Sequence, residues 1–206
     1  MKSQLIKSFV LLLVFFQLLF ATCRHNLQER TPPEATKGVL DLKEWDFRKD
    51  GPVDLMGEYE FYWMQHLAPS EFTKPTPPQK SGFIDVPGYW NGYEVDGKML
   101  SGKGYATYRL KILLNDRRQS LALKLLDMGT AYKVYLNGKQ LISIGLPGQN
   151  RETTVPRYFP QVVDFESETN QIELIFQVSN FHLRRGGAWE VARLGTEKEI
   201  RRIRER

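Results

Sequence analysis

Two glycine-bearing stretches gather the side chains of this chain that could do chemistry. From Gly88 to Gly104 five glycines are interleaved with aromatic residues; the stretch supplies Trp90, Asn91 and Tyr93, with Tyr105 directly after it. The second stretch supplies Asn180, His182, Arg184, Arg185 and Trp189 around Gly186-Gly187. Arg109 lies on the strand that leaves the first stretch. Aromatic rings with amide and guanidinium groups suit a shallow saccharide cleft: rings stack on apolar C–H faces, while Asn and Arg hydrogen-bond hydroxyls. Long loops of this composition are uncommon unless functional. Packing at the end of a sandwich is an equally good use of Trp90 and Trp189. Arg109 could as easily pair with a buried acid such as Asp127, and His182 has the setting of an ordinary loop histidine.

Signals for catalysis are weaker. Glu58 and Glu60 alternate onto one strand face, a spacing that could suit the paired carboxylates of a glycosidase. The solvated face of a strand explains them better, since nothing in the sequence indicates burial that would raise a carboxyl pKa. The histidines are His25, His66 and His182, and Cys23 is the one cysteine. An intramolecular disulfide is therefore excluded, and a His- or Cys-built metal site is not expected. Calcium held by carboxylates and carbonyls stays open, although no ligand string is visible. No nucleophile elbow, phosphate loop or Cys–His pair appears. The expectation is a binding protein rather than an enzyme, with no cofactor.

The elements that must position these loops are strands. In GYATYRLKILL, SLALKLLD and AYKVYLNGKQLISI, apolar residues alternate: Ala106, Tyr108, Leu110 and Ile112; Leu121, Leu123 and Leu125; Tyr132, Val134 and Leu136. Period-2 alternation marks strands with one face on a core. Asn137-Gly138 fits a type I′ hairpin turn, so antiparallel strands are expected in succession here. Tyr59, Phe61 and Trp63 give an earlier strand an aromatic face, and Ile172, Leu174, Phe176 and Val178 give a later one an aliphatic face. A last strand is expected over Ala188–Leu194. Pro69, Pro75, Pro77 and Pro78 stiffen a surface loop, and Thr196, Glu197 and Glu199 open a polar helix at the C-terminus. Strand number and long crossing loops predict an all-β jelly-roll β-sandwich with a short C-terminal helix.

The 206 residues are 41% hydrophobic, enough for one sizeable core. Residues 1–22 read as a signal peptide: Lys2 and Lys7 precede Phe9–Ala21, a run of about 13 residues, short of the roughly 20 needed to span a bilayer. Leu19-Phe20-Ala21-Thr22-Cys23 resembles a bacterial lipobox, departing from it at Phe20 and Thr22, which makes Cys23 the candidate lipidation site. Residues 23–37 read as a tether, 38–195 as the domain and 196–206 as a helical tail. An exported, membrane-anchored protein facing the periplasm or the cell exterior is expected. Two of the five net positive charges lie in the signal; Arg193–Arg206 carries six basic and three acidic side chains, leaving the body between them neutral. A neutral body is no nucleic-acid binder.

Five segments in this order carry a family resemblance: LMGEYEFYW, IDVPGYW, GYATYRL, YLNGKQL and SNFHLRRGGAW. They resemble the N-terminal sugar-binding-like jelly roll of family 2 glycoside hydrolases. More closely, they are similar to the second extracellular domain type of bacterial seven-transmembrane receptors with diverse intracellular signalling modules (7TMR-DISM), over about residues 38–195. The resemblance implies a galactose-binding-like fold, an extracytoplasmic ligand-sensing role and a carbohydrate-like ligand. A membrane signalling protein is then a candidate partner, either as the remainder of a receptor or beside a stand-alone lipoprotein. Protein–protein docking on the envelope is the alternative. Hydrolysis is disfavoured, because family 2 enzymes keep their catalytic acids in a separate barrel.

Overall fold

Strand β1 (Val39–Leu42) turns Leu40 and Leu42 inward, and a one-turn helix, Phe47–Asp50, leads from it to β2 (Val53–Asp54). The aromatic strand β3 (Gly57–Trp63) is followed by a proline-stiffened crossing that contains the 3-10 turn Pro69–Thr73, and then by β4 (Gly82–Val86). The glycine-rich loop folds back on itself as a small hairpin, β5 (Glu94–Val95) and β6 (Lys98–Met99). The central strands are β7 (Gly104–Leu114), β8 (Gln119–Leu125), β9 (Ala131–Leu136) and β10 (Lys139–Ile144). Strands β11 (Gln161–Ser167), β12 (Gln171–Asn180) and β13 (Arg193–Thr196) and the helix Glu197–Arg204 complete the chain. This computed structural model describes residues 30–115 and 118–204. The expected signal segment, Cys23 and the first part of the tether lie outside the described residues.

Two sheets face each other across one core. The larger runs β10-β9-β12-β7-β3-β4, with β1 parallel to the far half of β7; the smaller runs β11-β8-β13-β2. The alternation read from the sequence packs between them: Leu110, Ile112 and Leu114 from one sheet meet Leu121, Leu123 and Leu125 from the other, and Ile172, Leu174, Phe176 and Val178 fill the middle. Burial of this apolar surface, at roughly 25 cal/mol per Å², is the main stabilising term. The fold is the expected jelly-roll β-sandwich with a short C-terminal helix.

Three details differ from the sequence reading. Strands β7 and β8 are consecutive but lie in different sheets, because β7 pairs with β12 and β3 while β8 pairs with β11 and β13. The folded body also starts before Gly38: Ala35 is buried, its N–H donates to the Met56 carbonyl, and its own carbonyl accepts from Glu58 N–H. Finally, the last strand is Arg193–Thr196 rather than Ala188–Leu194. The backbone at 186–188 is already committed to other loops, accepting from the N–H groups of Gly88, Trp90 and Gly129.

Candidate functional site

Strands β7 and β12 are antiparallel partners, so Gly104 and Asn180 lie opposite each other at one end of the sandwich. The loop 87–103 and the segment 181–192 therefore meet there. Asn180 is fully buried and pins the junction: its Nδ2 donates to the carbonyls of Gly102 (2.7 Å), Arg185 (2.8 Å) and Leu183 (3.1 Å), and its Oδ1 accepts from Leu183 N–H. Trp90 is equally buried, with its indole N–H on the same Gly102 carbonyl and its ring edge-on to Trp63 at 5.2 Å. Glycine is required at the contact, since a Cβ on Gly186 would sit 2.4 Å from the Trp90 ring.

Asn91 spans the junction from outside. Its Nδ2 donates to the Arg184 carbonyl and its Oδ1 accepts from Gly186 N–H. Tyr93 holds the glycine-rich loop down, its hydroxyl donating to the Phe83 carbonyl and its ring edge-on to Phe61. Burial pushes the Tyr93 hydroxyl pKa up. Four of the candidate residues thus build the loop junction, and Trp90 and Asn180 have no exposed surface to offer a ligand.

Tyr105 and Arg109 stand elsewhere, on the outer face of the large sheet, because β7 alternates and Ala106, Tyr108 and Leu110 face the core. Tyr105 packs edge-on against His66 at 4.7 Å. Arg109 pairs with Glu173 Oε1 through Nη2 (2.5 Å) and Nε (2.8 Å) and with Glu60 Oε2 (3.2 Å), beneath the Phe72 ring, and not with Asp127. Burial pushes the Glu60 carboxyl up, but the Lys80 ammonium and Tyr62 hydroxyl, with Arg109, outweigh it and hold Glu60 below its ordinary value. That is the wrong direction for a general acid. His66 Nε2 lies 3.2 Å from Ser179 Oγ, yet Ser179 is fully buried and its hydroxyl donates to the Gly148 carbonyl, so the pair is closed to a substrate. Among the described residues no group of three or more His, Cys, Asp or Glu side chains could hold a metal.

What remains open at the junction is an aromatic platform. Tyr89 is 44% exposed and packs against half-buried Trp189 at 5.8 Å between ring centroids, the planes inclined by 36°. The exposed Arg185 guanidinium lies 5.1 Å from the centre of the Tyr89 ring. His182 is half-buried on the same segment, its Nδ1 enclosed with no hydrogen-bond partner among the described residues. Arg185 and Trp189 were among the candidates, whereas Tyr89 was visible only as one more aromatic of the glycine-rich loop. The signal for it is adjacency to Trp90: Trp90 packs inward, and its neighbour Tyr89 is the ring left to solvent.

No protein-family model matches the chain, and no curated protein does. Solved structures do. A β-glucuronidase from an uncultured Clostridium shares 14% identity over 71% of this chain and 29% of its own, with a TM-score of 0.51. Ruminococcus gnavus β-glucuronidase in complex with D-glucuronic acid shares 13% over 69% and 29%, with a TM-score of 0.52. A GH2 β-galacturonidase from Eisenbergiella tayi bound to glycerol shares 16% over 70% and 24%, with a TM-score of 0.48. The chain thus spans under a third of the length of these enzymes. At such identities the likeness is one of fold alone: the chain is a jelly-roll β-sandwich like the part of these β-glucuronidases that it covers.

Proposed function

We propose that this chain is an extracytoplasmic carbohydrate-binding module that takes a saccharide on Tyr89, Trp189 and Arg185. The observation that carries it is the convergence of the exposed Tyr89 ring, the half-buried Trp189 ring and the Arg185 guanidinium from two loops, over a junction tied by hydrogen bonds. Preorganised rings bind at little entropic cost, and the guanidinium supplies hydroxyl-directed donors. The role is binding without catalysis: Glu60 is held ionised by its partners, and Ser179 is buried against His66. The order of the five motifs supports a sensor of the 7TMR-DISM type, with a membrane signalling protein as partner or continuation. The apolar run before Cys23 supports export and a lipid anchor at the envelope.

A second reading has an observation of its own. Leu146, Val155, Tyr158 and Phe159 of the loop between β10 and β11 are exposed, as is Leu183 of the junction segment, and Arg151 ties that loop to the Phe181 carbonyl. A docked protein would cover them. A glycan array probed with the protein, with gel filtration alongside, separates the two readings. Saturable binding to defined saccharides that Trp189→Ala weakens supports the first. Glycan silence, with self-association or capture of a membrane protein, overturns it in favour of the second.

A further inference from the structure

The opposite end of the sandwich, where β7 leaves toward β8, holds a cavity of about 760 Å³. Its cationic lining comes from segments far apart in sequence: Arg48 on the one-turn helix, Arg118 before β8, and Lys198 and Arg202 one turn apart on the C-terminal helix. Its acids are Asp46, Glu197 and Glu199.

Acids and cations are used differently here. Asp46 accepts from Arg48 N–H (3.0 Å) and pairs with Lys49 (3.4 Å), Glu197 pairs with Arg201 (3.0 Å), and Glu199 accepts from the Thr196 hydroxyl (2.7 Å). Every carboxylate on the wall is thus engaged. Among the described residues, no ion pair engages Arg48, Arg118, Lys198 or Arg202. Like charges drawn to one concavity repel unless an anion joins them.

We propose that this cavity binds a phosphate group carried on a small polar body. Three guanidiniums, each a planar fork of donors, and one ammonium exceed what the two oxygens of a carboxylate can use, and suit a phosphate. The volume falls in the range of small-molecule sites, larger than a bare ion fills. Lys198 and Arg202, two of the six basic side chains of Arg193–Arg206, thereby have a role. Free phosphate esters and phospholipid headgroups share this chemistry.

The test is calorimetric titration of the full chain at low salt with inorganic phosphate, with glycerol phosphate, and with a short-chain phosphatidylglycerol kept below its micellar concentration. Saturable binding that weakens about tenfold or more in Lys198→Gln/Arg202→Gln and in Arg48→Gln/Arg118→Gln supports the site. Preference for glycerol phosphate assigns it to soluble esters, and preference for the lipid to headgroups. All four side chains are exposed, so unchanged melting of the variants separates lost binding from lost fold. Absence of saturable binding to all three probes, or binding equal in wild type and variants, overturns the proposal. Saccharide binding at the other end is untouched by either result.

Discussion

Trp90 Nε1 and Asn180 Nδ2 donate to one acceptor, the Gly102 carbonyl, at 3.2 and 2.7 Å. Residues 90 apart in sequence are thereby held at the same end of the sandwich, each spent on structure. Asn180 satisfies three carbonyls and one N–H. Asn180→Ala should therefore act on stability before it acts on binding, since each buried group left unpaired costs about 1–3 kcal/mol. Thermal melting checks this: a clear drop in Tm is expected, and a variant that melts like wild type would mean the junction is not held this way.

Trp189 and Tyr89 should behave in the opposite sense. Both reach solvent, so Tyr89→Ala and Trp189→Ala remove ring contacts with a ligand while disturbing little of the core. Loss of one stacked ring costs about 0.5–1.5 kcal/mol, roughly twofold to twelvefold in affinity. Titration by intrinsic fluorescence, on a saccharide taken from the array, measures it. Comparable affinity in both variants would remove the platform from the site.

Much of the architecture was legible in the residues, because period-2 alternation reports a core face directly. Ile112 opposite Ile172 and Tyr108 opposite Phe176 are in-register pairs of residues the pattern already placed inward. Asn137 (φ 46°) and Gly138 (φ 85°) adopt the left-handed conformations that the hairpin turn requires. Thr196 and Glu199 form the helix cap. The site was less legible. Whether Tyr89 or Trp90 faces solvent depends on which loop packs over them, a long-range fact. The partners of Arg109 lie 49 and 64 residues away, so no local pattern points to them. Asn180 looked like a ligand donor because buried backbone carbonyls and sugar hydroxyls call for the same amide chemistry.

His66 gives the fold an acid-sensitive contact. Burial lowers its pKa from 6.5 to about 4, so the folded state resists a proton that the unfolded chain accepts. A depressed pKa means that its contribution is fully present above about pH 6.5 and is lost progressively as pH falls toward about 4. Urea-denaturation midpoints across that window should fall with pH in wild type and fall less in His66→Gln. Parallel slopes for the two proteins would dissociate His66 from the effect.

Arg109 is the single cation between Glu60 and Glu173, and its side chain is 15% exposed. Removing one partner of so enclosed a cluster is costlier than removing a surface pair, because the carboxylates stay behind without it; the expected loss is up to about 3–5 kcal/mol. Lys80 still neutralises Glu60 through Oε1, so Glu173 bears most of the strain. Arg109→Met keeps much of the packing under Phe72 while deleting the charge, which isolates the electrostatic part. The sign with pH follows. In wild type Glu60 has a lowered pKa, so its share of stability is present above the ordinary value of 4.5 and is lost as pH falls below it. In Arg109→Met the two carboxylates repel, and protonating either relieves them. The deficit relative to wild type should therefore be largest at neutral pH and should shrink toward pH 4. A deficit independent of pH would assign the role of Arg109 to packing against Phe72 and Tyr62 alone.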